Sequence, residues 1–511
     1  MDRRWKRLGC LMAAALLLSG CVGQEKAPGG PQLTLPPAEK RYEAPENDIN
    51  QGYEQTVLLY LPSLEGTQLL AYPVKAQFSA SRHNAQTLCE MLLSQPSAGA
   101  AQAVGGDVTL TLSGTDAVEV SGQVATVSLG ASALRLSHEQ LYLVGQALAN
   151  TLCQFGDLQY VNVLIAGVQP GLNVASTLPA GAFQPNTRED LSTLWARAGA
   201  PATAGRRSFA AAVYFPAPAG KGILCEGRTL SFSSQDLPGM AVTLLEAIGA
   251  GAEKLPNAPA CPRLREMLAD SPVLEETGGV RRLSLHFREE MNSALIDAGI
   301  TRSVMMAAMT YTFTTFLPGL DGIEVVIGEE SITSLTPSGT YSGAGEQIRF
   351  ADGLMRRRDF SGFLLAECAL YFSDGNGRLT RVLRPVPFYE AYSARALVQQ
   401  LLLGPQPFDS VSGLRPVLPQ GLRPADLLGV SYADQALVLN FSGQWPALCA
   451  GMDAAAEKQM IYALVNTLCE LQGVKKAAFF VQGEQPDSLA GHIYLPGDFL
   501  PNADLVTNGM N

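Results

Sequence analysis

Ala147-Leu148-Ala149-Asn150-Thr151-Leu152-Cys153 and Ala463-Leu464-Val465-Asn466-Thr467-Leu468-Cys469 are one phrase written twice, 316 residues apart in a chain of 511. The same offset carries Gly167 onto Gly483 without a gap. A more divergent copy lies between them, because an offset of 155 carries Thr312 onto Thr467 and Gly328 onto Gly483. Self-similarity of this kind marks a repeat architecture. Apolar residues recur at spacings of 4, 4 and 3 through each copy: Val144, Leu148, Leu152 and Phe155; Met305, Met309, Phe313 and Phe316; Met460, Leu464, Leu468 and Leu471. That spacing puts each set on one face of an α-helix, a face that another layer must cover.

Working outward, each helix is followed by a short apolar strand that ends at a glycine: Val161 to Ile165, Ile323 to Ile327, and Ala477 to Val481. Each copy opens on another strand, at Leu58 to Pro62, Ala212 to Pro216, or Ala369 to Phe372, and a first helix comes next. Alternating pairs such as Val118 to Val120 and Ala125 to Leu129, or Val430 to Tyr432 and Ala436 to Phe441, suit a half-covered sheet. The order strand, strand, helix, strand, strand, helix, strand predicts an α+β module: a mixed or antiparallel sheet with two helices packed on one face. Ser137-His138-Glu139-Gln140 reads as a capping box at the start of the first copy's second helix. The expected division is a signal peptide over 1–20, a Pro-rich tether over 21–52, modules over 53–187, 208–337 and 360–511, and linkers over 188–207 and 338–359.

The N-terminus has basic residues (Arg3, Arg4, Lys6, Arg7), a short apolar run from Leu8 to Leu18, and then Leu18-Ser19-Gly20-Cys21. This is the pattern of a bacterial lipobox, so Cys21 is the expected lipidation site, and the chain is expected at the extracytoplasmic face of the plasma membrane. The seven cysteines beyond it are Cys89, Cys153, Cys225, Cys261, Cys368, Cys449 and Cys469, an odd number without CxxC or metal-ligand spacing. Hydrophobic residues make up 47% of the chain and charged ones 16%, enough to bury large cores. A net charge of −11 gives nucleic acid no basic face to bind.

Signs of chemistry are sparse. Only four histidines occur, His83, His138, His286 and His492. No nucleophile elbow, H-E-x-x-H, P-loop or complete dinucleotide fingerprint is present, so no catalytic, cofactor or metal residue is expected. Asp374-Gly375-Asn376-Gly377 reads as a hairpin turn rather than a cation loop, Glu289-Glu290 as charged surface, and Met305, Met306 and Met309 as core. Arg356-Arg357-Arg358 reads as a solvated linker or a partner patch. Trp445 reads as an edge-of-core aromatic, with glycan stacking as the alternative.

The third copy, through Leu370-Tyr371-Phe372, Leu403-Gly404-Pro405, Ala436 to Ser442, Asn466 to Cys469 and Phe479 to Gly483, resembles the GerMN domain family of sporulation and germination lipoproteins. The likeness extends to the first copy and weakens in the second. It implies an extracytoplasmic scaffold with protein partners in a sporulation, germination or envelope complex, and it implies no catalytic residues. The alternative reading is a lipoprotein that binds envelope glycan, peptidoglycan included, or a small solute. An envelope hydrolase is the third.

Overall fold

The cap read from Ser137 is built as expected. Its Oγ accepts from the Gln140 N–H while the Gln140 side chain accepts from the Ser137 N–H, at 3.2 and 2.9 Å, satisfying donors that a helix start leaves unpaired. The computed structural model describes residues 42–49, 52–337 and 346–507. The signal segment, Cys21 and most of the tether lie outside the described residues.

The first run of elements is β1 (Gly52–Pro62), β2 (Leu69–Ser79), α1 (Ala85–Ser94), β3 (Val118–Ser121), β4 (Val124–Leu129), α2 (His138–Leu152) and β5 (Tyr160–Ile165), followed by α3 (Leu191–Gly199). The second is β6 (Arg207–Pro216), β7 (Ile223–Phe232), α4 (Leu237–Gly249), β8 (Val273–Thr277), β9 (Val280–Phe287), α5 (Glu290–Asp297), α6 (Arg302–Phe316) and β10 (Gly322–Ile327). Short strands β11 (Glu330–Ser331), β12 (Ser334–Leu335) and β13 (Ile348–Arg349) trail it. The third is β14 (Leu365–Ser373), β15 (Leu379–Pro387), α7 (Ala394–Leu402), β16 (Leu427–Ala433), β17 (Ala436–Phe441), α8 (Gln444–Cys449), α9 (Ala454–Leu468) and β18 (Lys476–Val481). In each run the last strand lies parallel to its neighbour, β4 with β5, β9 with β10 and β17 with β18. The helix before it supplies the crossover that parallel pairing requires. The class is α+β.

The single sheet expected for each module is instead two. An antiparallel hairpin (β1–β2, β6–β7, β14–β15) stands apart from a second, mixed sheet. The physical reason is one threonine per run. The N–H of Tyr60, Tyr214 or Tyr371, on the first strand of each hairpin, donates to the hydroxyl of Thr151, Thr312 or Thr467, at 3.1, 3.0 and 3.2 Å. A helix side chain thus takes the donor that a neighbouring strand would need. These are the threonines that the 316- and 155-residue offsets superpose. The second helix therefore packs on the hairpin on one side and on the parallel strand on the other, rather than on one face of a continuous sheet.

The helix stripes are buried as their spacing predicts: Val144, Leu148, Leu152, Met305, Met309, Met460, Leu464 and Leu468 have no exposed surface. Burying a side chain of this size contributes about 1.5–3 kcal/mol. Three apolar cores result, one under each run. Residues from Ala44 onward form one compact unit.

Of the stretches read as linkers, 188–207 and the described part of the second, 346–359, are folded. Residues 188–207 hold α3, capped by the Asp190 carboxylate and seated by Trp195 against Tyr142, ring centroids 5.5 Å apart. Residues 346–359 return Met355 antiparallel to Ile323. The end of the tether also packs: Ile49 N donates to Val430 O at 2.8 Å, Asn440 Nδ2 to Pro45 O at 3.0 Å, and Arg395 holds the Asp48 carboxylate by two bonds. Segment 44–49 thus ties the entry of the first run to the third.

Candidate functional site

A concavity of about 480 Å³ lies where the first run meets the second. Its walls come from the 113–128 hairpin region and the 164–168 turn of the first run, from α6, and from the arginine segment 356–358. Of the three arginines, Arg357 is not solvated linker: its side chain is 11% exposed. It forms an ion pair with Glu119, donates to Thr315 Oγ1 at 2.6 Å and lies 4.0 Å from the centre of the Tyr311 ring. Burial opposes its charge, and Glu119 with Tyr214 and Tyr311 outweigh that, so its pKa is raised. Arg358 remains exposed. The cleft also presents Asp116, Asp321 and the hydroxyls of Ser113, Ser128 and Thr314, without an aligned nucleophile and base.

The other buried charges hold segments together. Arg228 pairs with Glu226 at 2.8 Å and donates to the carbonyls of Ala247 and Gly251 at the end of α4. Arg384 pairs with Asp409 at 2.6 Å and donates to the carbonyls of Gln400 and Gly404 at the end of α7. Each neutralises the negative end of a helix. Register places Val74 at the same point of the first hairpin. Glu457 accepts from the backbone of Leu489, Ala490, His492 and Ile493, pinning loop 488–493.

The histidines are dispersed. His83 pairs with Asp157 at 3.0 Å, against Gln472 of the third run. His138 opens α2. His286 contacts Asp270 and the Gly328 carbonyl, both at 3.0 Å, an acid partner not visible in the sequence. His492 meets the Met452 carbonyl. Trp445 is fully buried against Phe441 and Phe479, so its ring is not presented to a glycan. Asp374 to Gly377 forms the β14–β15 turn, with the Asp374 carboxylate accepting from the N–H groups of Asn376 and Arg378. Met305, Met306 and Met309 are core, and Glu289 precedes α5. The seven cysteines are free thiols, and burial pushes Cys153, Cys261, Cys368, Cys449 and Cys469 up to about 12, far from thiolate reactivity. Among the described residues no cluster could hold a metal ion, and no helix is long and apolar enough to cross a membrane.

Sequence reasoning missed the asparagine clasps. Asn150 Oδ1 accepts from Asn186 N, and its Nδ2 donates to Asn186 O, both at 2.8 Å; Asn466 does the same with Asn502 at 2.9 and 3.3 Å. The signal was present, since 186 and 502 are again 316 apart, but it lies beyond the helical phrase.

Residues 369–487 match the Germane family, described as "Sporulation and spore germination". No match was found among curated proteins. Among solved structures, the chain is similar to the tandem GerMN domains of the sporulation protein GerM from Bacillus subtilis, at 15% identity over 58% of this chain and 99% of that one, with a TM-score of 0.22. The first GerMN domain of the same protein matches at 18% identity over 28% of this chain and 98% of that one, with a TM-score of 0.19. Scores this low carry no argument about how the runs superpose. The assignment rests on the family match, and by it the chain carries, at residues 369–487, a domain of the Germane family.

Proposed function

We propose that the protein is a lipid-anchored, non-enzymatic scaffold at the extracytoplasmic face of the plasma membrane, joining a sporulation, germination or envelope assembly through protein contacts. The observation that carries this reading is the use made of buried charge in a chain with a Germane domain. Glu119–Arg357, Glu226–Arg228 and Arg384–Asp409 all lash segments of the fold together. A scaffold needs rigid surfaces in fixed relation, and linked modules raise effective concentration at a surface without any single tight site. Acylation at Cys21 would supply the anchor, since two or more chains hold a protein stably at a bilayer.

Deleting the gene in its host is expected to lower the yield of heat-resistant spores, and Cys21→Ser to move the protein from the membrane to the soluble fraction. Normal spore yield and unchanged envelope assembly in the deletion strain would overturn the scaffold. A membrane-held Cys21→Ser protein would overturn the anchor.

A further inference from the structure

The first and third runs superpose by residue number as far as their C-terminal returns. The bridge Val161–Phe183 recurs as Ala477–Phe499, and Ile165–Val168 as Val481–Glu484. Gly181 therefore corresponds to Gly497, Leu178 to Tyr494, Ala182 to Asp498 and Arg188 to Asp504. In the first run this return is covered. Ala182 N donates to Ala210 O of β6 at 2.8 Å, and Leu178 and Ala182 pack on the core of the second run. A Cβ on Gly181 would lie 2.7 Å from Ala210 O and 3.6 Å from the Phe209 side chain.

Among the described residues, the same surface of the third run is open. Nothing lies within 4 Å of a Cβ on Gly497, Tyr494 is 71% exposed and Leu500 is 64% exposed. Tyr494 and Leu500, with Tyr462, Pro496, Phe499 and Asp504, line a groove of about 440 Å³. Exposed aromatic and aliphatic side chains gathered at a groove mark a docking surface. The strand that covers the first run begins at Arg207, directly after Arg206, and carries Phe209, and the open groove has acid at two matched positions where the first run has alanine and arginine. Asp498, engaged with Lys476, replaces Ala182, and the exposed Asp504 replaces Arg188.

We propose that this groove binds an extended, basic strand segment of a partner protein, with one aromatic side chain seated over Gly497 and its backbone paired along the 496–500 edge. The mode is β-strand addition, in which backbone bonds give affinity and one pocket gives selectivity. The inference rests on the scaffold reading and names one of its contact surfaces.

A labelled peptide with the sequence of residues 205–214, the chain's own occupant of the equivalent face, is the probe. Titrated against the full-length protein, it is expected to bind saturably. Tyr494→Ser and Asp504→Lys, both changes of exposed side chains, should each weaken binding about tenfold, as should replacing the peptide's phenylalanine by serine. Absence of binding, or binding indifferent to Tyr494→Ser, would overturn the proposal. So would concentration-dependent dimerisation of the protein abolished by Tyr494→Ser, which would make a second copy the occupant. None of these failures would restore spore yield to a deletion strain, so the scaffold reading stands or falls separately.

Discussion

The outer runs fasten their C-terminal return with an asparagine on the second helix, and the middle run uses a tyrosine and an arginine instead. Asn150 and Asn466 clasp the backbone of Asn186 and Asn502, while Tyr311, 155 residues before Asn466, lies under the Arg357 guanidinium at 4.0 Å. The bridge Met355–Ile323 places Arg358 where the outer runs have their second asparagine. The task is the same, to hold a returning chain across a helix. What differs is what the returning chain offers. Every residue of α6 from Ser303 to Phe316 is buried, and so are the stretches of α2 and α9 that carry Asn150 and Asn466, Val144 to Leu152 and Ala463 to Leu468. In a buried stretch an amide without a matched backbone partner would cost more than an aromatic ring, and a cation over that ring recovers part of the charge burial.

The comparison breaks most sharply at Tyr311. Tyr311→Asn gives the middle run the outer residue without its clasp, so it should lose about 3 kcal/mol through the cavity and the stranded arginine. Denaturant unfolding of the full chain measures this, and wild-type stability would show that the ring is not the fastening. Next comes Asn466→Ala, expected to cost about 2 kcal/mol because two hydrogen bonds are lost and the Asn502 N–H is left without its acceptor. Faster hydrogen exchange at the Asn502 amide is the accompanying sign.

The smallest effect sharpens a third position, occupied by Thr56, Ala210 and Glu367 at matching points of the three hairpins. Burial pushes the Glu367 carboxyl up to about 7, against the lowering pull of Arg381 and with a further rise from Glu226. The native state then holds a proton that the unfolded chain has released, so stability is full at low pH and declines as pH rises from about 4.5 to about 7. Glu367→Gln should therefore stabilise by about 1–2 kcal/mol at pH 8 and change little at pH 4. Melting curves at the two pH values read it directly, and an equal shift at both would exclude titration of Glu367 as the cause.

Much of the fold was legible in local pattern. The 4, 4, 3 stripe of Val144, Leu148, Leu152 and its counterparts, the Ser137–Gln140 cap and the Asp374 turn all depend on neighbours within a few residues, and all formed as read. Thr151, Thr312 and Thr467 were legible as a repeat phase but not as the bonds that divide each sheet, because a hydroxyl's partner about 91 to 98 residues away leaves no local trace. The cleft was legible only as Arg356-Arg357-Arg358, three charges that look alike in a row. Their separation into a buried Arg357 and an exposed Arg358 depends on Glu119, 238 residues earlier.

By itself, then, the sequence determined the α+β element order, the phase of its repeat and the helix faces that had to be covered, since periodicity and capping act over one or two turns. Only the tertiary structure decided what covers each face: that Ala210 lies on Gly181 while Gly497 stays bare, and that segment 44–49 closes on Val430. Those outcomes turn on which distant surfaces meet, and the burial of apolar area that drives them is non-directional, so no local spacing encodes the partner.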